Sequence, residues 1–315
     1  MRFSCAVLSA VFGLGFVSLA APVAAQEDVI HMQFDERRAV LGYGRLFSND
    51  FLGDGQDRWR SGSYVFSQIR GYEGSAPRPS EFGEVLEWRA RTDILAPENL
   101  VTPAAGDRRY AGIFSFEAYT HWQKASVEYS AGGGLAFVGP QTGLGNFQTT
   151  VHKWIDAGEP DLSNQIEDSI YPTATFEAAR TYSLGETGTV RPFVEAMAGP
   201  ETLLRVGADM VVGRLGGDEL FLRDSGTGQL YQGTRSAETG TSFVLGGDIA
   251  YVADSKYLAE SDGYVLTDSR QRLRAGLRWQ SENTTVFYGL TWLSEEFEAQ
   301  SEGQTIGSLK IQFQF

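Results

Sequence analysis

The sequence predicts an all-β fold: a transmembrane antiparallel β-barrel of about twelve strands, with a short helix in an extracellular loop. Three observations predict it. Residues 1–25 have the make-up of an export leader, segments alternating polar and apolar side chains recur through the rest of the chain, and the last eight residues form one more such segment ending on an aromatic. After the leader, no window holds the roughly 18 uninterrupted apolar residues of a membrane helix. Crossing a bilayer then requires a closed barrel, because only closure satisfies every backbone group in lipid.

The leader carries Arg2 near its start, an apolar run from Ala6 to Ala20, and Val23-Ala24-Ala25 before Gln26, a small-residue cleavage signature. The single cysteine, Cys5, leaves with it, and its place ahead of the apolar run argues against a lipid-anchored cysteine at the cleavage point. Residues 26–315 show no second composition regime, Pro-rich linker or repeat, and read as one barrel domain. With 42% hydrophobic and 12% aromatic residues the chain is not disordered. Its formal charge of -14 argues against a nucleic-acid partner, since phosphates repel such a surface, but leaves acidic sites able to hold a cation.

Candidate wall strands cover residues 39–47, 62–70, 84–95, 110–120, 125–138, 172–182, 190–198, 203–213, 219–231 (continuous or interrupted), 242–252, 271–279, 284–293 and 308–315. Barrels of this type prefer even numbers, which points to twelve. In 271–279, Arg272, Arg274 and Arg278 share one face, opposite Leu273, Ala275, Leu277 and Trp279. Three arginines toward lipid would be costly, so that face should line a polar lumen. The closing segment, with Phe315 last, resembles the terminal strand and assembly signal of bacterial outer-membrane barrels, and implies the barrel-assembly machinery as a partner. A soluble all-β protein would show the same alternation; the leader, the terminal Phe and the arginine face favour the membrane barrel.

Two segments are not barrel wall. Residues 48–62, between the first two strands, gather Asn49, Asp50, Asp54 and Asp57 with Gly53 and Gly55. Those oxygens can serve Ca²⁺ as hard ligands, or form a solvated acidic turn. Residues 132–171 are too long for a hairpin turn, and a break at Gly143 and Gly145 with Asn146 as N-cap predicts a helix over about 147–156. Gln148 and His152 would share one face, beside an apolar stripe of Phe147, Val151 and Trp154 or Ile155. His152 there can act as a general base or simply pack; His31, near the N-terminal tail, and His121, in a short turn, read as packing or surface residues. Strand parity puts the connections after strands one and five on the same extracellular rim, facing the leaflet where lipid A resides. Asn49, Asp50, Ser61, Gln148 and His152 are therefore expected together.

The runs SNDFLGDGQDRWRSGSY (48–64), FVGPQTGLGNFQTTVHKWI (137–155) and NQIED (164–168) resemble the outer-membrane lipid A 3'-O-deacylase (LpxR-type) family. The resemblance implies a twelve-stranded monomeric barrel in the outer membrane of a Gram-negative bacterium, with its active site between the wall and a loop helix. It also implies Ca²⁺ as cofactor, lipopolysaccharide as substrate, and hydrolysis of the ester that links the 3'-acyloxyacyl group to lipid A. The family's Asn-Asp pair falls on Asn49 and Asp50, its hydroxyl residue on Ser61, and its Gln-x-x-x-His on Gln148 and His152. Its later acidic residue meets Gly158 without a gap and Glu159 after a one-residue shift.

Ester hydrolysis needs a base to activate water and a positive centre for the developing oxyanion. His152 is the natural base, Asp50 would hold Ca²⁺ against the ester carbonyl, Asn49 would donate to the oxyanion, and Gln148 would orient His152 or the substrate. Ser61 is either a nucleophile activated by His152 or, the favoured reading, a residue that positions water. Arg58, Arg60 and Lys153 are candidates for pairing with lipid A phosphates, or equally for ordinary loop charges. The alternatives are an outer-membrane phospholipase or acyltransferase using the same site, and a non-catalytic barrel. A pore is disfavoured, because about twelve strands are easily filled by large inward side chains.

Overall fold

The computed structural model describes residues 38–72, 74–213, 219–234 and 238–313; the leader with Cys5, His31 and Phe315 lie outside the described residues. In chain order the strands are β1 (Arg38–Asn49), β2 (Trp59–Tyr72), β3 (Val85–Ala96), β4 (Ala111–Lys124), β5 (Val127–Val138), β6 (Ser169–Ala179), β7 (Tyr182–Leu184), β8 (Gly188–Ala198), β9 (Glu201–Gly213), β10 (Phe221–Arg223), β11 (Leu230–Gln232), β12 (Gly240–Ser255), β13 (Arg270–Gln280), β14 (Thr284–Leu293) and β15 (Gln304–Phe313). Twelve of them close an antiparallel ring, β1-β2-β3-β4-β5-β6-β8-β9-β12-β13-β14-β15. The ring is sealed at its outer end by Phe47↔Leu309, Ser48↔Ser308 and Asn49↔Gly307. The short β7 pairs with β8 where β6 ends.

Alternation sorts side chains between lumen and lipid as expected. Arg272, Arg274 and Arg278 of β13 are buried, whereas Leu273 between them is 61% exposed on the outer face. The outer face carries Tyr43, Trp88, Phe116, Phe243, Trp279 and Trp292, large apolar groups that suit a hydrocarbon surrounding. Among the described residues no helix is long and apolar enough to cross a membrane.

The segment 219–231, expected as wall, is a hairpin inside the lumen: β10 and β11 pair with each other and, among the described residues, join no other strand. Its alternation is genuine, but its apolar face meets the inside of the barrel. Leu220, Leu222 and Tyr231 pack with Leu46, Val65, Ile69, Val85 and Phe287. The fit is tight enough that a Cβ on Gly44 of β1 would stand 2.8 Å from the Tyr231 ring. The hairpin's charges tie it to opposite walls. Arg223 donates to Glu177 of β6 at 2.5 Å and to Asp209 of β9 at 2.8 Å, and Asp224 pairs with Arg91 of β3. His121 belongs to β4 rather than to a turn, and donates from Nε2 to Glu87 at 2.8 Å inside the lumen, in keeping with a packing role.

Removing one member of a buried, hydrogen-bonded ion network leaves its partners buried and under-neutralised. Arg223→Ala is therefore expected to destabilise the barrel by about 3–5 kcal/mol, read as a lowered urea midpoint of the refolded protein; an unchanged midpoint would show that the plug does not brace the wall.

Candidate active site

The site starts where β1 runs out. Asn49 caps a short 3-10 turn, Asp50–Leu52, and its Oδ1 accepts the Phe51 N–H at 2.9 Å. Asp50 is 0% exposed, and its two oxygens accept backbone N–H groups from Phe51 at 2.9 Å and Arg58 at 2.6 Å. Burial, with help from the Asp57 and Asp54 charges, outweighs those two hydrogen bonds and pushes its pKa up to about 8.

The chain re-enters the wall through Trp59, buried and in the left-handed region at φ 48°, an outlier for a bulky residue. Two residues on, the register against β3 slips: Arg60 pairs with Leu95 and Gly62 with Ile94, leaving Ser61 as the extra residue of a bulge. The bulge accompanies a re-aimed side chain. Ser61 Oγ donates to Asp57 Oδ1 at 2.5 Å. Gly62, opposite Asn49 on β1, makes room for its amide, since a Cβ there would stand 3.1 Å from Asn49 Nδ2.

The other half comes from helix α1 (Leu144–Trp154) in the connection between β5 and β6. It starts earlier than expected because Gly143, not Asn146, takes the capping position, with φ 71°. The buried residues of α1 are Gly145, Gln148 and His152, one helical face. His152 Nδ1 donates to the Gly158 carbonyl at 2.6 Å, and Nε2 meets Asp57 Oδ2 at 2.8 Å. Both ring nitrogens face acceptors, so both bonds are donated together only by the imidazolium. Gln148 Nε2 lies 3.3 Å from each Asp57 oxygen and 3.4 Å from Ser61 Oγ, while its own Oε1 is buried without a partner among the described residues.

Ser61, Gln148 and His152 thus converge on Asp57, next to Asp50 and Asn49. Asp57 itself was legible only as one oxygen among four in an acidic loop; the sole hint of its central place is its position four residues before Ser61. Glu159 does not join the cluster. It is exposed and pairs with Lys153 at 3.2 Å, and the carbonyl of the preceding residue, Gly158, is what holds His152. The three basic residues that are candidates either for phosphate pairing or for ordinary loop charges are engaged within the chain: Arg58 with Glu302 at 2.7 Å, Arg60 with Glu296 at 2.5 Å and Glu201 at 3.3 Å, and Lys153 with Glu159. The extracellular connections carry 17 Asp and Glu against five Lys and Arg, so the rim is strongly acidic. Among the described residues, no three His, Cys, Asp or Glu side chains gather as a metal site.

Fold and site together define an outer-membrane β-barrel with a plugged lumen and a His-Asp-Ser cluster at its outer rim. The chain belongs to the family described as outer membrane protein LpxR, whose family model matches residues 11–315. Among solved structures it is similar to LpxR from Salmonella typhimurium, at 17% identity and a TM-score of 0.69, over 87% of this chain and 100% of that one. Two other outer-membrane barrels match far more loosely. They are the β domain of the Bordetella autotransporter BrkA (11% identity, TM-score 0.41, 87% of this chain and 99% of that one) and the KdgM porin (8%, 0.38, 87% and 98%). No curated protein matches the sequence.

The Asp50 pKa is raised in the fold, so its burial costs nothing below the ordinary carboxylate value of 3.8, costs progressively more as the pH climbs toward about 8, and costs no more beyond it. In chelator, Asp50→Asn should accordingly gain stability over the wild type between pH 4 and pH 9, measured as urea midpoints. A difference that stays constant across that range would contradict the assignment.

Proposed function

We propose that this protein is a Ca²⁺-dependent lipid A 3'-O-deacylase, hydrolysing the ester that links the 3'-acyloxyacyl group to lipid A. The observation that carries the reading is the inverted amphipathicity of α1. Its polar face, Gln148 and His152, is buried on Asp57 and Ser61, while Phe147, Trp154 and the adjoining Ile155 are 60%, 80% and 66% exposed. At the outer rim of an outer-membrane barrel, that arrangement turns apolar groups toward acyl chains and polar chemistry toward the ester region beside them. Membership of the LpxR family supports the same reading.

His152 is assigned the role of general base through Nε2, with the Gly158 carbonyl fixing the ring from Nδ1. A water entering between Nε2 and Asp57 Oδ2 would give one hydrogen bond to each, and attack the ester carbonyl carbon as its proton passes to His152. The same proton then leaves with the sugar alkoxide. Ser61 spends its hydroxyl on Asp57 rather than offering it to His152, which favours positioning water over acting as nucleophile. The oxygen donors fit a hard cation: Asp50 is a buried carboxylate paired only with backbone N–H groups, Asp57 lies near enough to raise its pKa, and Gln148 Oε1 is an unused buried acceptor. Two carboxylates and an amide leave places for carbonyls, water and substrate among the six to eight oxygens Ca²⁺ takes. Bound there, Ca²⁺ would supply positive charge to polarise the ester carbonyl.

Mass spectrometry of lipid A from cells expressing the wild-type chain or His152→Ala, with Ca²⁺ present or chelated, tests this directly. Loss of one acyloxyacyl unit is expected only with His152 and Ca²⁺ together, with the variant slower by about 10²–10⁴-fold. Unchanged lipid A throughout, with folded barrel in every sample, or release of lysophospholipid instead, would contradict the reading.

A further inference from the structure

We propose, building on the hydrolase reading above, that Tyr110 is a further catalytic residue, its phenolic hydroxyl donating a hydrogen bond to the ester oxygen that turns negative during hydrolysis. Tyr110 stands immediately before β4 and is 2% exposed. Its ring packs with Ala96, Leu100, Ile94 and Leu162, and its carbonyl accepts the Ile166 N–H at 2.8 Å, so the side chain is held from several sides. Its Cε1 lies 3.5 Å from where a Cβ on Gly145 would stand. Gly145 is the first of the three buried residues of α1, one turn before Gln148 and two before His152. Tyr110 is thus seated against the same helix face that carries the base.

The hydroxyl itself is buried and has no hydrogen-bond partner among the described residues. Buried phenols ordinarily find one, and an orphaned donor is a cost that a merely structural tyrosine does not need. Burial, with help from the Asp57 charge, raises its pKa and so keeps it a proton-bearing donor. Its missing partner is an acceptor that arrives with the substrate. In the reaction, water oxygen bonds to the carbonyl carbon, the water proton passes to His152, and the carbonyl electron pair moves onto oxygen, where the Tyr110 O–H meets it without giving up its proton. When the pair returns, the bond to the sugar oxygen breaks and His152 gives its proton to that oxygen, leaving free acid and a sugar hydroxyl.

Tyr110→Phe separates this role from packing, because it removes the orphaned hydroxyl and keeps the ring. The full chain, wild type and variant, is assayed with Ca²⁺ on lipopolysaccharide and on phosphatidylethanolamine vesicles, with urea midpoints measured alongside. We expect kcat to fall about 10²-fold, KM to stay within about twofold, and the midpoint to hold or rise. A kcat within about threefold of wild type, or a loss that tracks a lowered midpoint, would overturn the proposal. Activity of the wild type on phospholipid alone would sink the lipid A reading while leaving Tyr110→Phe decisive on that substrate. Acid released from neither substrate overturns both.

Discussion

A single carboxylate, Asp57, joins two parts of the chain that lie 91 to 95 residues apart in sequence. It accepts from Ser61 on its own strand entry and from Gln148 and His152 on a helix four strands away around the ring. Those contacts decide which way the helix faces. With its polar side drawn down onto Asp57, the aromatic and aliphatic side is left pointing outward, the reverse of a helix packed on a core. The barrel makes the meeting feasible by parity alone, since connections after its first and fifth strands emerge on the same rim.

The lumen supplies the stiffness that such a rim site requires. A hairpin carried on the connection between β9 and β12 fills the barrel, braced by apolar contacts on one side and by Arg223 and Asp224 on the other. Buried ion networks add little net stability over well-packed apolar groups, yet they are strongly specific about geometry. Here the cost is offset by mutual pairing: Arg272 and Arg274 share Asp248, and Arg274 and Arg223 share Asp209. The same pairing logic operates at the rim, where Arg58, Arg60 and Lys153 are all matched to carboxylates. An acidic rim with its cations already engaged would meet the anionic glycolipid proposed as substrate most favourably through divalent cations, which agrees with the calcium dependence proposed for the site.

Much of this architecture is visible in the sequence, and the reasons for the misses are physical. Period-two alternation reports that a strand has two unlike faces, which is why the arginines of 271–279 predict the lumen correctly. Alternation does not say which neighbours the strand has, so a lumen hairpin at 219–231 reads like wall. The i, i+4 spacing of Gln148 and His152 places both on one face, but not the partner of that face, and Asp57 stays hidden among the acidic residues of its loop. Motif matching meets Gly158 without a gap and Glu159 after a one-residue shift; the search for an acidic side chain favours Glu159, whereas the imidazole is held by the backbone carbonyl of Gly158, a group that every residue possesses. Bulges are equally silent, and the one at Ser61 is what turns that hydroxyl to the site.

If Asp57 and His152 work as one unit, removing either should forfeit most of what removing both does. The direct measurement is a double-mutant cycle on ester hydrolysis with Asp57→Asn, His152→Gln and the combined variant, each verified as folded. The account predicts a double variant no slower than the worse single one, within about threefold. Losses that multiply would mean that the two side chains act independently and that the carboxylate at the centre of this structure is incidental to its chemistry.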